Sequence, residues 1–395
     1  MLKKLLPICL LATLASCDND DEPFFVNEDP AGFTEISTLD IGGTGAAEIT
    51  AYDPQTQRLF VVNNDGSGGN KIDVIDFKNP ASLSAPIASI SVAAYGGVNS
   101  VAVSNGKLAA AIESTDKQAP GRVVVYNTND YKEVKVITVG ALPDMVTYSP
   151  DGQFILTANE GEPNDAYTND PEGTISIISV RDNYAVTTLN FAGFASQEAS
   201  LRAKGLRRFG LNASFAKDME PEYIAVSADS RTAWVTLQEN NAIAKVDINA
   251  KTITDIFPLG FKDYNRTENA VDLSDRDGGI TLKNSAVFGM YQPDAIAFYQ
   301  ANGIPYLFTA NEGDAREYAG FNEMKRLSAW AMDATAFPNA AALKADAVLG
   351  RLNVSGFPSD VDGDGDIDGI FSLGARASAS GMAIPARWFS IAKTT

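Results

Sequence analysis

Apolar residues recur in short alternating runs along most of the chain, the period of strands that bury one face. Lys71–Phe77, Arg122–Asn127, Val134–Val139, Thr174–Val180 and Ala242–Ile248 are such runs. Between them lie turn-forming stretches such as Ser104-Asn105-Gly106 and Ser149-Pro150-Asp151-Gly152. The scattered Gly and Pro fit many turns, and the repeated apolar runs argue against disorder. One segment breaks the rule: Ser196–Phe209 has helical spacing and carries Arg202, Lys204, Arg207 and Arg208.

The strands come in repeated units. Leu142-Pro143-Asp144-Met145-Val146 leads to Phe154-Ile155-Leu156-Thr157-Ala158-Asn159-Glu160-Gly161-Glu162. Gln292-Pro293-Asp294-Ala295-Ile296 leads in the same way to Tyr306-Leu307-Phe308-Thr309-Ala310-Asn311-Glu312-Gly313-Asp314. Weaker copies begin at Glu48, Asn99 and Glu222. Each unit reads as strand, turn, strand, loop, strand, and then a fourth strand. Four short strands per unit, at a repeat near 45 residues, predict an all-β protein of the β-propeller type with YVTN/WD40-like repeats and about seven blades. The key positions 48, 99, 144, 222 and 294 are spaced 51, 45, 78 and 72 apart, so insertions are expected at roughly 183–218 and 255–290. A plain β-sandwich is the alternative, but it needs no such repetition.

The first residues read as an address. Lys3 and Lys4 precede the apolar run Leu5–Leu14, and Leu14-Ala15-Ser16-Cys17 resembles the lipobox of bacterial lipoproteins. Residues 1–16 are then a signal peptide and Cys17 carries lipid; an ordinary secretory signal that happens to hold a cysteine is the other reading. The acidic stretch Asp18–Glu22, inside a tether over 17–34, resembles the surface-export signal of Bacteroidetes-type lipoproteins, although a merely solvated tether is compatible with it. The expected location is the outer membrane, exposed at the cell surface and attached through lipid only, facing an extracellular ligand of unknown nature.

Charge sharpens the chemistry. The 395 residues include 31 basic and 50 acidic side chains, a formal net charge of −19, and no histidine. Loss of Lys3 and Lys4 takes the charge to −21. Histidine-dependent triads and His-ligated zinc are excluded, and the acidic excess argues against nucleic acid as partner. The carboxylates instead suit a hard cation, Ca²⁺ or Mg²⁺. Glu48, Asp144, Glu222 and Asp294 open the first strand of their units, with Asn99 in the fifth equivalent place. The next strand ends in Asp65, Glu113, Glu160, Glu239 and Glu312. Such repeated acids either gather around a cation or cap their own units through local hydrogen bonds. Near the C-terminus, Asp360, Asp362 and Asp364 followed by Gly365 match positions 1, 3, 5 and 6 of an EF-hand-type loop, with Asp366 and Asp368 at positions 7 and 9. Phe371 stands where the bidentate Glu belongs, so the loop is either a modest calcium site or a solvated acidic turn.

The P-D-A-I-A and T-A-N-E-G-[ED] stretches, Lys217-Asp218-Met219-Glu220-Pro221-Glu222-Tyr223-Ile224 and Ser274-Asp275-Arg276-Asp277-Gly278 resemble the choice-of-anchor I family over residues 35–376. That resemblance implies a secreted or surface-anchored propeller related to mesenchyme-specific cell surface glycoproteins, some relatives bearing an alkaline-phosphatase label. The expected function is a calcium-binding surface module. The alternative is a metal-dependent phosphomonoesterase using Arg276, Asp294, Glu312, Asp314 and Arg316, although both arginines could simply neutralise neighbouring acids. Residues 377–395 depart from the family pattern. One codon set compatible with Ala379–Ala392, read one base earlier, would encode a strand, a turn and a second strand, so the segment reads as a frameshift that cuts the propeller short; a divergent tail is the other reading.

Overall fold

The computed structural model describes residues 34–66 and 69–375, together with the backbone of 379–382 and 388–390. The signal peptide, Cys17 and the acidic tract lie outside the described residues. Four sheets of four antiparallel strands follow one another along the chain. The first holds β1 (Ala46–Asp53), β2 (Arg58–Asn63), β3 (Lys71–Asp76) and β4 (Ala88–Ser91). The second holds β5 (Val98–Ser104), β6 (Lys107–Ile112), β7 (Pro120–Asn127) and β8 (Glu133–Ala141). The third holds β9 (Pro143–Tyr148), β10 (Phe154–Asn159), β11 (Thr174–Ser179) and β12 (Ala185–Asn190). The fourth holds β13 (Pro221–Val226), β14 (Thr232–Leu237), β15 (Ala242–Asp247) and β16 (Thr252–Pro258).

After β17 (Phe261–Asp263) and β18 (Phe288–Met290), a fifth sheet starts with β19 (Pro293–Ala301) and β20 (Ile304–Asn311). Short strands follow: β21 (Glu317–Tyr318), β22 (Phe321–Asn322), β23 (Met324–Arg326), β24 (Asn353–Ser355) and β25 (Phe371–Ser372). The fifth sheet is completed by β26 (Ala379–Met382), which pairs with β20, and β27 (Trp388–Ser390), which pairs with β26. Those last two strands come from the segment read as aberrant.

Strand periodicity decides how the sheets pack. On β6, Leu108, Ala110 and Ile112 face the first sheet's Phe60, Val62, Ile72 and Val74. The intervening Ala109 and Ala111 face Val146, Ile155 and Ile178 of the third sheet. Both faces are therefore apolar, as a strand sandwiched between two layers requires. The same logic joins the third sheet to the fourth through Leu156, Ile177, Val235 and Val246, and the fourth to the fifth through Trp234, Ile243, Ile296 and Leu307. Ile177 is fully buried in the largest of these cores. Ile177→Ala is expected to cost about 2–5 kcal/mol, read as a lowered urea midpoint at unchanged slope.

Two expectations are corrected. The sheets do not close into a propeller of about seven blades, and no WD40-like ring of repeats is present among the described residues. Five sheets have four strands, and the rest have two or three. The physical reason lies in two excursions, 259–292 and 312–375. They fold on one another instead of adding blades: β18 pairs in parallel with β25, and Tyr264 and Val287 share a core with Leu327, Phe337, Leu349, Val354 and Ile367. The α-helix expected over 196–209 covers only Glu198–Arg202, after a 3₁₀ turn at Ala192–Gln197. Gly205 ends it with φ of +104°, where an added Cβ would come 2.7 Å from the Cα of Gly260.

Candidate metal and catalytic centre

The first strands of successive sheets lie side by side, β1 beside β5, β5 beside β9, β9 beside β13 and β13 beside β19. Each begins with a break in register. Ala46 and Thr50, Val98 and Ser100, Pro221 and Ile224, and Pro293 and Ile296 flank such breaks, and in β9 Asp144 is the extra residue between Pro143 and Met145. The bulged positions hold Glu48, Asn99, Asp144, Glu222 and Asp294. A bulge frees one residue from the ladder and re-aims its side chain. Here all five line a single cavity of about 580 Å³.

The second strands contribute through the repeated T-A-N-E-G. The hydroxyls of Thr157 and Thr309 donate to the Oδ1 atoms of Asn159 and Asn311, at 2.9 and 3.1 Å. The Asn159 amide ties on to Thr174 and Ser176, and that of Asn311 to the carbonyl of Ala375. Gly161 and Gly313 then turn left-handed, with φ of +72° and +92°. A Cβ there would meet backbone at 2.7 and 2.2 Å, so both positions require glycine. This leaves Glu160 and Glu312 at the cavity wall, joined by Glu113 and Glu162.

Eight carboxylates thus share the cavity with one cation, Lys117, whose Nζ lies 3.4 Å from Glu113. Such crowding cannot leave every carboxylate ionised. Burial, then the charges of Asp294 and Glu48, push Asp144 up to about 7. Burial, then Glu239 and Asp294, push Glu222 up to about 11. Glu160 is raised well above the usual range by burial and Asp144, and Asp294 is raised by burial and Glu312. Burial also raises Glu162, against the opposing pull of the Tyr318 hydroxyl, which donates at 3.1 Å, and of Lys117. Gln238, with its amide nitrogen turned toward Glu222, lies 3.2 and 3.3 Å from the two carboxylate oxygens.

A buried ionic layer is coupled to the cavity, its Glu239 acting on Glu160 and Glu222. Arg316 donates from Nε to Glu220 at 3.1 Å, from one terminal nitrogen to Asp218 at 2.5 Å and from the other to the Asp218 carbonyl at 3.0 Å. Arg207 pairs with Glu323 and donates to the Glu239 carbonyl at 2.8 Å. Both guanidinium groups stack on Phe209, 4.6 and 4.2 Å from its centroid. Arg316 is therefore placed inside a satisfied acid network. Arg276 sits exposed in its loop, and Asp314 is exposed, its carbonyl accepting from Gln292. Neither lines the cavity. Asp65 accepts from the Gly43 amide, and Glu239 is buried in the ionic layer. Glu162, Lys117, Asp218, Glu220 and Glu323 do not stand out in the sequence as site residues. The second acid of E-G-E was the available signal for Glu162.

A second acidic group lies apart in sequence. Oxygens of Asp360, Asp362 and Asp368 come within 4.8 Å of one another, so they can hold a metal ion. The loop is not extended with all five acids on one face. Gly363 and Gly365, at φ of +82° and +100°, fold it back, and Asp364 and Asp366 stand outside the trio. The Asp360 carboxylate accepts from the amides of Gly363 and Gly365, and Asp368 accepts from that of Val361. Burial and the neighbouring Asp364 raise the Asp366 carboxyl. Asp362→Asn is expected to remove or weaken by about tenfold one cation-binding event in calorimetry; an unchanged isotherm would show that the trio holds no ion.

Fold and site together define an all-β protein with carboxylates gathered at the bulged starts of its first strands. The chain belongs to the choice-of-anchor I domain family, whose model matches residues 48–380. No curated protein matches the chain in sequence. Among solved structures it is similar to the Kuenenia stuttgartiensis hydrazine synthase, with 13% identity, a TM-score of 0.41, and coverage of 67% of this chain and 80% of that one. The expectation of a calcium-binding structural module on a closed propeller is corrected on two grounds. No closed ring is present among the described residues, and the grouping of Asp360, Asp362 and Asp368 favours metal-dependent chemistry over a structural role.

Proposed function

We propose that the chain is a metal-dependent phosphomonoesterase whose reaction centre is the carboxylate cavity. The observation that carries this reading is the convergence of eight carboxylates, several held protonated by burial and mutual repulsion, on one open volume. An oxygen-only donor set without histidine or free thiolate suits Mg²⁺ or Ca²⁺. Asp294, Glu312, Glu48 and Glu160 would hold the cation here, and Asp360, Asp362 and Asp368 would hold another of the same class. A divalent cation in such a cavity supplies the positive charge a phosphate ester needs and acidifies a bound water.

The chain's own groups divide the remaining work. Asp144, pushed to about 7, can take a proton from an attacking water at neutral pH and return it to the leaving oxygen. Lys117, the cation of the cavity wall, would meet the phosphate oxygens from its place beside Glu113. Leu142, Met145 and Ile49 form apolar wall between the acids, which lowers the local dielectric and strengthens each charge interaction. Lipid attachment at Cys17, display on the outer membrane surface and the division at residues 16, 34 and 376 belong to the same proposal. They are supported by the leader and tether sequences, and no helix among the described residues is long and apolar enough to cross a membrane.

The test is hydrolysis of p-nitrophenyl phosphate by the full chain after chelation and re-addition of Mg²⁺ or Ca²⁺. The expected result is cation-stimulated turnover lost in Asp294→Asn and Glu312→Gln. Turnover that ignores the cation, or that survives both substitutions, would overturn the reading.

A further inference from the structure

The basic stretch around the short helix has no part in the chemistry above, yet it builds a cavity of its own. In a chain with 50 acidic and 31 basic residues, Arg202 and Arg208 line a volume of about 280 Å³ together with Phe261, Phe357, Phe371 and Asp360. This is close to the lower size limit of small-molecule pockets, roughly 300 Å³. Arg207 also reaches the cavity, but its charge is met internally by Glu323.

The two other guanidinium groups are not met in this way. Arg202 and Arg208 share one oxygen of Glu198, at 3.8 and 3.6 Å, distances of an ion pair without a hydrogen bond. One terminal nitrogen of Arg208 donates to the Ala213 carbonyl. Its Nε is buried and has no hydrogen-bond partner. Two arginines against Glu198 leave a single positive charge, with the Asp360 carboxylate on the same cavity wall. Asp360 is turned to its own loop, its oxygens accepting from Gly363 and Gly365.

The opposite wall is aromatic. Phe261 meets Phe371 edge-on with centroids 4.9 Å apart, and Phe371 stacks on Phe288 at 5.2 Å. Phe357 stacks on Phe209 at 5.5 Å. A planar group with one negative charge and a ring is complementary to such a pocket. The carboxylate fits the arginine fork and the ring fits the phenylalanine wall.

We propose that this cavity binds a small aromatic carboxylate, with the carboxylate facing the guanidinium groups of Arg202 and Arg208 and the ring lying against Phe261, Phe357 and Phe371. The site does not use the carboxylate cavity of the phosphoesterase reading, and it shares only Asp360 with the acidic trio.

Calorimetric titration of the full chain with phenylacetate tests it. Saturable binding is expected, weakened about tenfold or more by Arg208→Gln, the loss typical of one charge-assisted hydrogen bond. Arg202→Gln, an exposed side chain whose removal spares the core, is expected to weaken binding several-fold. Acetate, which lacks the ring, and 2-phenylethanol, which lacks the charge, should each bind about tenfold more weakly to the unmodified chain. Absence of phenylacetate binding, equal affinity in both arginine variants, or acetate binding as well as phenylacetate would each overturn the proposal.

Discussion

Arg316→Ala is expected to destabilise the chain by about 3–5 kcal/mol or to prevent folding outright. The guanidinium is fully buried and holds two carboxylates, Asp218 and Glu220, which are themselves buried. Burial alone would lower the arginine's pKa, but Glu220 and Asp218 reverse that and hold it well above its ordinary value. Removing it strands two acids in a region that already contains Glu239, itself pushed to about 7 by burial. Asp218 would keep its bonds from the amides of Phe209 and Gly210, so Glu220 is the larger liability. Arg316→Lys should recover only part of the loss, because one ammonium cannot reproduce the fork that reaches both acids. Urea denaturation at neutral pH reads the difference. A loss below about 1 kcal/mol for Arg316→Ala would show that the buried layer contributes little to stability.

Asp144→Asn is expected to do the reverse in the absence of cations. Asp144 has its pKa raised from 3.8 to about 7, so the folded chain binds its proton more tightly than the unfolded chain. Stability linked to this group is therefore full below about pH 4 and is lost as pH rises through about 7. A shift of that size corresponds to at most about 4 kcal/mol, and coupling to Asp294 and Glu48 spreads it over the cluster. Glu222, at about 11, continues the decline on the alkaline side. In chelator the unmodified chain should lose stability between pH 5 and pH 8, while Asp144→Asn should lose less over that interval and should no longer catalyse phosphate release. Parallel pH profiles for the two proteins would show that the carboxyl does not carry the raised pKa.

The strands were readable because alternation is local. Lys71–Asp76, Pro120–Asn127, Thr174–Ser179 and Ala242–Asp247 fall where the apolar period puts them. The fate of the ring was not readable. Leu327, Phe337 and Leu349 look in sequence like any core residues, and only the folded chain shows that they pack with Tyr264 and Val287 in a separate core. The helix was over-read because its apolar spacing continues past Gly205, whose backbone cannot continue the helix there. Among site residues, the acids after Pro143, Pro221 and Pro293 stood out through repetition, which marks the bulge that aims them. Lys117 sits on the loop between β6 and β7, where no period marks it. The partners of Arg316 lie 98 and 96 residues away, a separation that no local pattern encodes.

Under the proposed function the cavity's half-buried and exposed carboxylates, several of them protonated, form a cation site. Binding a divalent cation must then expel protons, since ligating carboxylates have to be ionised. Calorimetric titration of Mg²⁺ or Ca²⁺ into the chelated chain at pH 7, in buffers of different ionisation enthalpy, counts them directly. Release of about one proton or more per cation is expected, reduced in Asp144→Asn and Glu222→Gln and retained in Asp362→Asn. Cation binding with no proton release, or no binding beyond the event lost in Asp362→Asn, would contradict it.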